Sequence, residues 1–133
     1  MNSWELQFAS AEHGEVLVLK PTRQLEGQDH AVLSRKLEEL ALAGRKRLVL
    51  DLSAAKYLRS TVLGVLLAHQ QRLREAGGSL VLAAPEGAVT RVLRFANLGE
   101  DLPVRSTVEE AAKLAAAGPE PEPPGGPPTP KGP

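Results

Sequence analysis

The chain contains no cysteine and very few aromatic residues. Of its 133 residues, one is Trp, one is Tyr and two are Phe. Without cysteine, the chain can form no disulfide framework and has no thiol chemistry. Because aromatic side chains are so scarce, the hydrophobic core must be built mainly of Leu, Val and Ala.

The sequence also lacks a charge surplus and a long apolar run. It has 16 basic and 16 acidic residues, so no strongly basic face is available for nucleic acid. No stretch reaches the roughly 18 apolar residues of a membrane span. The first eight residues, MNSWELQF, lack the features of a signal peptide. We therefore expect a cytoplasmic protein that neither inserts into a membrane nor binds nucleic acid.

Motifs typical of enzymes and metal sites are missing as well. The sequence has no P-loop, no G-x-G-x-x-G and no G-x-S-x-G nucleophile elbow. His13, His30 and His69 are dispersed, and none has a second ligand at metal-binding spacing on its own element. We expect His69 to be exposed in the middle of a helix. Asp51 could act in catalysis, but a structural role at a strand end, bonding loop amides, is the simpler interpretation. We expect no catalytic residue, no metal and no cofactor, and so no enzyme.

Proline is abundant but is concentrated at one end of the sequence. Residues 118–133 contain eight of the eleven prolines and no apolar residue larger than proline. Such a segment cannot bury enough surface to offset the entropy lost on ordering. We therefore predict a domain over residues 1–117 and a disordered or polyproline-like tail over residues 118–133. Docking of this tail in an aromatic groove is an alternative, and a solvated tail is the favoured interpretation.

The stretch from residue 47 to residue 84 carries the clearest pattern of secondary structure in the sequence. Two continuous apolar runs, residues 48–52 and 80–83, flank a helix-periodic segment. Runs of this kind are typical of parallel strands that are buried on both faces, with the helix as their crossover. The first run ends in a polar segment, residues 53–60. In open α/β sheets, functional sites lie at the carboxyl ends of strands, which directs attention to this segment.

The remaining patterns predict the element order ββαβαβαβα. A half-buried edge strand is expected at residues 4–8, and a second strand at 16–19. Helices are expected at about 29–43 and 86–97, a short strand at 102–105, and a last helix after it. Asp29 is a candidate N-cap, Gly44 a candidate C′ glycine, and Ser106 with Glu109 a candidate capping box.

Ser60 immediately precedes the central helix, whose apolar face is formed by Leu63, Leu66, Leu67 and Leu73. The structural interpretation is an N-cap, a role worth about 1 kcal/mol. The functional interpretation is a phosphorylation site. The two are compatible, because the free N–H groups and the positive dipole end of a helix N-terminus favour a phosphate. Phosphorylation would add roughly −1.5 to −2 charge there.

These residues resemble a known family. The string from Leu50 to Leu67, LDLSAAKYLRSTVLGVLL, and the later GGSLVL resemble the STAS domain, as in bacterial anti-sigma factor antagonists. The resemblance covers residues 4–117 approximately. It implies an α/β fold: a mixed β-sheet of four to five strands with four helices packed mainly on one face. The chain departs from the family pattern where Arg59 replaces an Asp, where Val62 replaces a Gly, and at residues 23–26, where RQLE replaces Gly-x-Leu-Asp.

The resemblance also implies a function. In this family an anti-sigma factor with serine kinase activity phosphorylates the first hydroxyl residue of the motif, which is Ser60 here, with Thr61 as the second choice. The protein would bind that kinase when Ser60 is unmodified, release a sigma factor, and lose binding on phosphorylation. The implied partner-binding residues are Glu26, Arg59, Ser60, Thr61, Val62 and Leu63. Arg59 could hinder a kinase that expects an acid, or could pair with the added phosphate. The alternative is a STAS scaffold subunit, not phosphorylated, in a cytoplasmic lipid transporter or stress-signalling assembly.

Overall fold

The computed structural model describes residues 6–117. The elements are β1 (Phe8–His13), β2 (Val16–Pro21), α1 (Asp29–Leu42), β3 (Arg47–Asp51), α2 (Ser60–Glu75), β4 (Ser79–Ala83), α3 (Ala88–Phe95), β5 (Val104–Arg105) and α4 (Val108–Ala117). The predicted order is confirmed. The first strand begins at Phe8, later than predicted, and Trp4 and the predicted tail lie outside the described residues.

The five strands form one sheet in the order β1-β2-β3-β4-β5. β1 pairs antiparallel with β2, and every later pair is parallel. The continuous apolar runs are the parallel strands β3 and β4, in which Val49 is paired with Val81. These strands carry large aliphatic side chains on both faces because both faces are covered by helices.

Three helices cover one face of the sheet and the fourth covers the other. The larger core lies beneath α1, α2 and α3 and includes Leu33, Leu66 and Leu93, all at most 1% exposed. The smaller core lies between the opposite face and α4, where small side chains such as Ala111 and Ala115 allow the helix to approach the sheet closely. The α/β mixed sheet with helices mainly on one face is therefore confirmed.

The connections that lead into β3 and into β4 each contain a glycine that the local geometry requires. Gly44 follows α1 with φ +83°, the left-handed conformation of a C′ residue, as predicted. A Cβ atom at Gly78 would lie 2.0 Å from the carbonyl oxygen of Lys46, so only glycine fits where the chain enters β4.

The two predicted helix caps at Asp29 and Ser106 are each one residue away from the observed position. α1 already includes Asp29, and the preceding Gln28 makes no side-chain cap. At α4, the hydroxyl of Thr107 accepts the Glu110 N–H at 3.1 Å, so the cap belongs to Thr107. The first helical residue therefore comes one position earlier in α1, and one position later in α4, than the predicted N-caps Asp29 and Ser106 imply.

The predicted exposure of His69 is wrong. This residue of α2 is 6% exposed, and its Nε2 lies 3.3 Å from the Ser34 hydroxyl of α1. Burial between the two helices lowers the pKa of His69, and the neighbouring Arg72 lowers it further. A polar residue in a helix can face a neighbouring helix when it finds a hydrogen-bonding partner there.

Candidate functional site

The polar segment between β3 and α2 lies at the carboxyl edge of the sheet. Its start is anchored by the backbone, since the Leu52 N–H donates to the carbonyl of Ala83 in the neighbouring strand at 2.8 Å. Asp51, at the end of β3, accepts the Ser53 N–H at 2.9 Å. The structural role expected for Asp51 is therefore confirmed, because its carboxylate turns the chain out of the strand.

Ser60 is the first residue of α2 and is exposed. The N-cap position belongs to Arg59, whose extended backbone has ψ 153° and whose carbonyl accepts the N–H groups of Val62 and Leu63 at 3.0 Å each. The prediction that Ser60 caps the helix is wrong. Within residues 6–117 no hydrogen bond to its hydroxyl is found, which leaves that oxygen accessible to another molecule.

The first turn of α2 is suited to negative charge. The first N–H groups of an α-helix have no partner within the helix, and here they belong to Ser60 and Thr61. The turn holds no acidic residue. Both the exposed amides and the helix dipole therefore favour an anion at the Ser60 oxygen.

A single glutamine ties the segment before α2 to the segment before α1. The Gln24 amide nitrogen donates to the Tyr57 carbonyl at 3.0 Å, and its oxygen accepts the Lys56 N–H. Gln24 therefore fixes the backbone just ahead of Ser60. The sequence analysis missed this residue, because a lone glutamine in a loop carries no periodicity or spacing signal.

The segment before α1 is itself held by an ion pair. Arg23 contacts Asp29 through both guanidinium nitrogens, at 2.6 and 3.2 Å. Asp29 also accepts the Glu26 N–H at 2.7 Å. Burial by itself would raise the pKa of Asp29, but the hydrogen bonds from Arg23 and from the Glu26 amide, with the attraction of Arg23, lower it. Asp29 therefore stabilises the loop that carries Glu26 by binding both Arg23 and the Glu26 amide.

Arg59 lies over the ring of Tyr57, with its guanidinium carbon 5.6 Å from the ring centroid. This is a cation–π distance, and both side chains are exposed. Arg59 also lines the same open groove as Glu26 and Val32. Arg59 therefore extends cationic charge beside Ser60.

The structure brings most of the predicted partner-binding residues to one edge. Glu26, Arg59, Ser60 and Thr61 are exposed there, and Leu63 is half-buried. Val62 does not fit the prediction, because it is 2% exposed and packs in the larger core. The five predicted residues that reach the surface here are called the Ser60 surface: Glu26, Arg59, Ser60, Thr61 and Leu63.

Other kinds of site find no support among the described residues. Between residues 6 and 117, no group of three or more His, Asp or Glu side chains could hold a metal ion. No helix in the same range is long and apolar enough to cross a membrane.

Comparison with known proteins places the chain in a family. The model of the STAS domain matches residues 7–111. A Thermotoga maritima protein assigned to the anti-sigma factor antagonists is 28% identical over 98 residues, which cover 73% of this chain and 87% of the relative.

Solved structures agree at the level of the fold. A crystal structure from Thermotoga maritima, also assigned to the anti-sigma factor antagonists, has a TM-score of 0.75 at 24% identity and covers 82% of this chain and 94% of its own. The Bacillus cell fate determinant SpoIIAA in its phosphorylated form has a TM-score of 0.62 at 19% identity and covers 81% and 98%. The order of strands, the helix after the polar segment and the family match over residues 7–111 together show that the chain belongs to the STAS domain family.

Proposed function

We propose that this protein is an anti-sigma factor antagonist that binds an anti-sigma factor with serine kinase activity through the Ser60 surface. The observation that supports this most directly is the accessible Ser60 hydroxyl at the start of α2. A kinase can reach this oxygen without unfolding any element. The protein would act as the substrate of that kinase and not as an enzyme.

The modification would change binding through charge. Unmodified Ser60 presents a small neutral hydroxyl to a docked partner. A phosphate there carries roughly two negative charges, and burying it in an interface is costly unless the partner pairs it. The Thermotoga maritima relative is assigned to the anti-sigma factor antagonists, and SpoIIAA has been solved in a phosphorylated form, which supports a switch of this kind.

The test combines labelling with binding. The protein is incubated with ATP and a serine kinase anti-sigma factor from the same genome, and phosphate is located by mass spectrometry. We expect phosphate on Ser60 and none on the neighbouring Thr61. Calorimetry with that partner should show that Ser60→Asp weakens binding more than Ser60→Ala does. Gln71→Asp, exposed on the same helix but outside the Ser60 surface, is the matched control for added charge and should bind as wild type does.

Two results together would overturn the proposal. They are the absence of label on either hydroxyl with every co-encoded kinase, and unchanged partner binding by Ser60→Asp. The STAS scaffold subunit, which needs no phosphorylation, would then be the better account. It is favoured by the loss of the family's acid at Arg59, a departure that a constitutive subunit would tolerate.

A further inference from the structure

The helix α3 exposes an apolar surface on the outside of the domain. Phe95 is 96% exposed and Val92 is 36% exposed, one helical turn apart on the same face. Together with Ala88 and Ala96 they line a shallow groove bordered by Arg91 and Arg94. Single exposed apolar side chains are common, but an aromatic and an aliphatic residue in one groove indicate a contact surface. We call Ala88, Arg91, Val92 and Phe95 the α3 patch.

The α3 patch also has a cationic border. Arg94 is paired with Glu86 across the start of the helix. Arg91 forms no ion pair of its own among residues 6–117, although the same Glu86 attracts it at longer range. The patch therefore suits a ligand that combines apolar rings with negative charge.

The topology fixes the end of the domain at which the patch lies. α3 follows the carboxyl end of β4 and runs back along the sheet, so Phe95 in its last turn lies nearer than Ala88 to the edge where the parallel strands begin. The segment after α3 reaches the end of α2 at that edge, since Arg74 donates to the Glu100 carbonyl at 2.8 Å. α4 runs in the same direction on the other face. Its last turn reaches that edge too, because Arg47 at the start of β3 donates to the Ala115 carbonyl at 3.2 Å. The last described turn of α4 therefore lies towards the same edge as Phe95.

We propose that the segment 118–133 docks on the α3 patch of its own chain. This segment contains Glu120 and Glu122, followed by prolines at positions 123, 124, 127 and 128. Proline-rich chains favour the polyproline II helix, which docks its rings against aromatic side chains with little loss of entropy. Glu122, immediately before the proline run, complements Arg91 at the border of the patch.

The length of the segment is sufficient. Helices on opposite faces of a sheet have axes about 20 Å apart, given a helix diameter of about 10 Å. A polyproline helix rises about 3.1 Å per residue, so residues 123 to 128 can extend about 19 to 34 Å from Ala117. The proline run can therefore pass around the edge of the sheet and reach Phe95.

The proposed contact leaves the Ser60 surface open. Ser60 begins α2 at the carboxyl edge of β3, and the α3 patch lies towards the opposite edge. The inference therefore goes beyond the proposed function, and each can fail without the other.

The experiment uses the full chain and its lack of cysteine. A nitroxide label on Thr129→Cys occupies a unique site, because the protein has no other thiol. Paramagnetic broadening of the amide signals is then mapped by NMR. We expect loss of signal intensity at Val92 and Phe95 well beyond that at Lys36 and Leu42 of α1.

Phe95→Ser and Arg91→Glu should remove this loss. The matched controls Leu42→Ser and Arg35→Glu, exposed on α1, should leave it unchanged.

Two outcomes would overturn the proposal. One is broadening at α3 no stronger than at α1. The other is broadening of α3 that appears only when labelled and isotope-enriched chains are mixed, which would assign the patch to a second copy. Broadening that does not change with protein concentration and disappears in Phe95→Ser supports docking within one chain.

Discussion

At the scale of single residues, three polar side chains fix the loops that carry the Ser60 surface. Gln24 and Asp29 bond the backbone on either side of Glu26 and ahead of Ser60, and Asp51 bonds the backbone just after β3. Asp51 has the structural role expected from its place at a strand end. Ser60, Asp29 and Ser106 were each expected to cap a helix, and in each case the cap lies elsewhere. Which residue caps a helix depends on where the backbone becomes helical, and tertiary contacts determine that position. The contacts made by Gln24 and His69 were equally unpredictable, because both partners come from distant segments.

The charge of Arg59 should determine how strongly phosphorylation acts. Arg59 is next to Ser60 and exposed, so it can partly neutralise a phosphate or its Asp mimic. We therefore expect Ser60→Asp to weaken partner binding more in an Arg59→Asp background, where like charges repel, than in the wild-type background. Calorimetry on the four variants of this double-mutant cycle measures the coupling. Arg59→Gln provides the control that removes the cation without adding an anion. Additive effects would show that Arg59 does not contact the modified residue.

Asp29 should couple the stability of the domain to acid. Its pKa is lower in the folded protein than its ordinary value of 3.8, so the folded state binds fewer protons at that carboxylate. The stabilisation is complete above the unfolded pKa and is lost as the pH falls through the lowered, folded value. We expect Asp29→Asn to be less stable than wild type at pH 7, and the difference between their urea midpoints to shrink at low pH. Glu39→Gln, at an exposed site on the same helix, is the control. A difference that stays constant with pH would contradict this role.

At the scale of elements, the apolar patterns predict most of the fold. The two continuous runs became β3 and β4, and Gly44 closes α1 as expected. The pattern in α2 was also correct at its centre, since Leu66 and Leu73 are buried. It did not include Val62, which was expected to bind a partner and is buried. Periodicity identifies the buried face of a helix, but how far that face extends at each end depends on what the neighbouring elements cover.

Leu66 should be the most costly position in α2 to truncate. It is fully buried between α2 and the sheet. Leu66→Ala should reduce the free energy of unfolding by about 2–5 kcal/mol, through lost burial and the cavity left behind. The same substitution at Leu42, which is 84% exposed on α1, should change it by no more than about 0.5 kcal/mol. Equilibrium denaturation in urea measures both. Equal midpoints for the two variants would mean that the buried face of α2 is wrongly assigned.

At the scale of the whole molecule, residues 6–117 cover both faces of the sheet without help from the segment 118–133. Both faces of the sheet are covered by helices from within residues 6–117, and each face has its own core. The boundary at residue 117 stays a prediction, because the described residues end there, within α4. A segment beyond it can add contacts only on the outside of the domain, as the proposed docking on the α3 patch does.

A chain that ends at Ala117 should therefore fold and unfold at almost the same temperature as the full chain. Docking within one chain stabilises the folded state only by the logarithm of its docking equilibrium, so a docked fraction near three quarters contributes about 0.8 kcal/mol. For a domain of about 100 residues, 1 kcal/mol corresponds to a shift of roughly 4–8 °C. We expect the thermal midpoint to fall by about 3–6 °C, and the Phe95→Ser variant of the full chain to show a fall of similar size. A fall of many degrees on truncation alone would place the segment in the core and would contradict the boundary at residue 117.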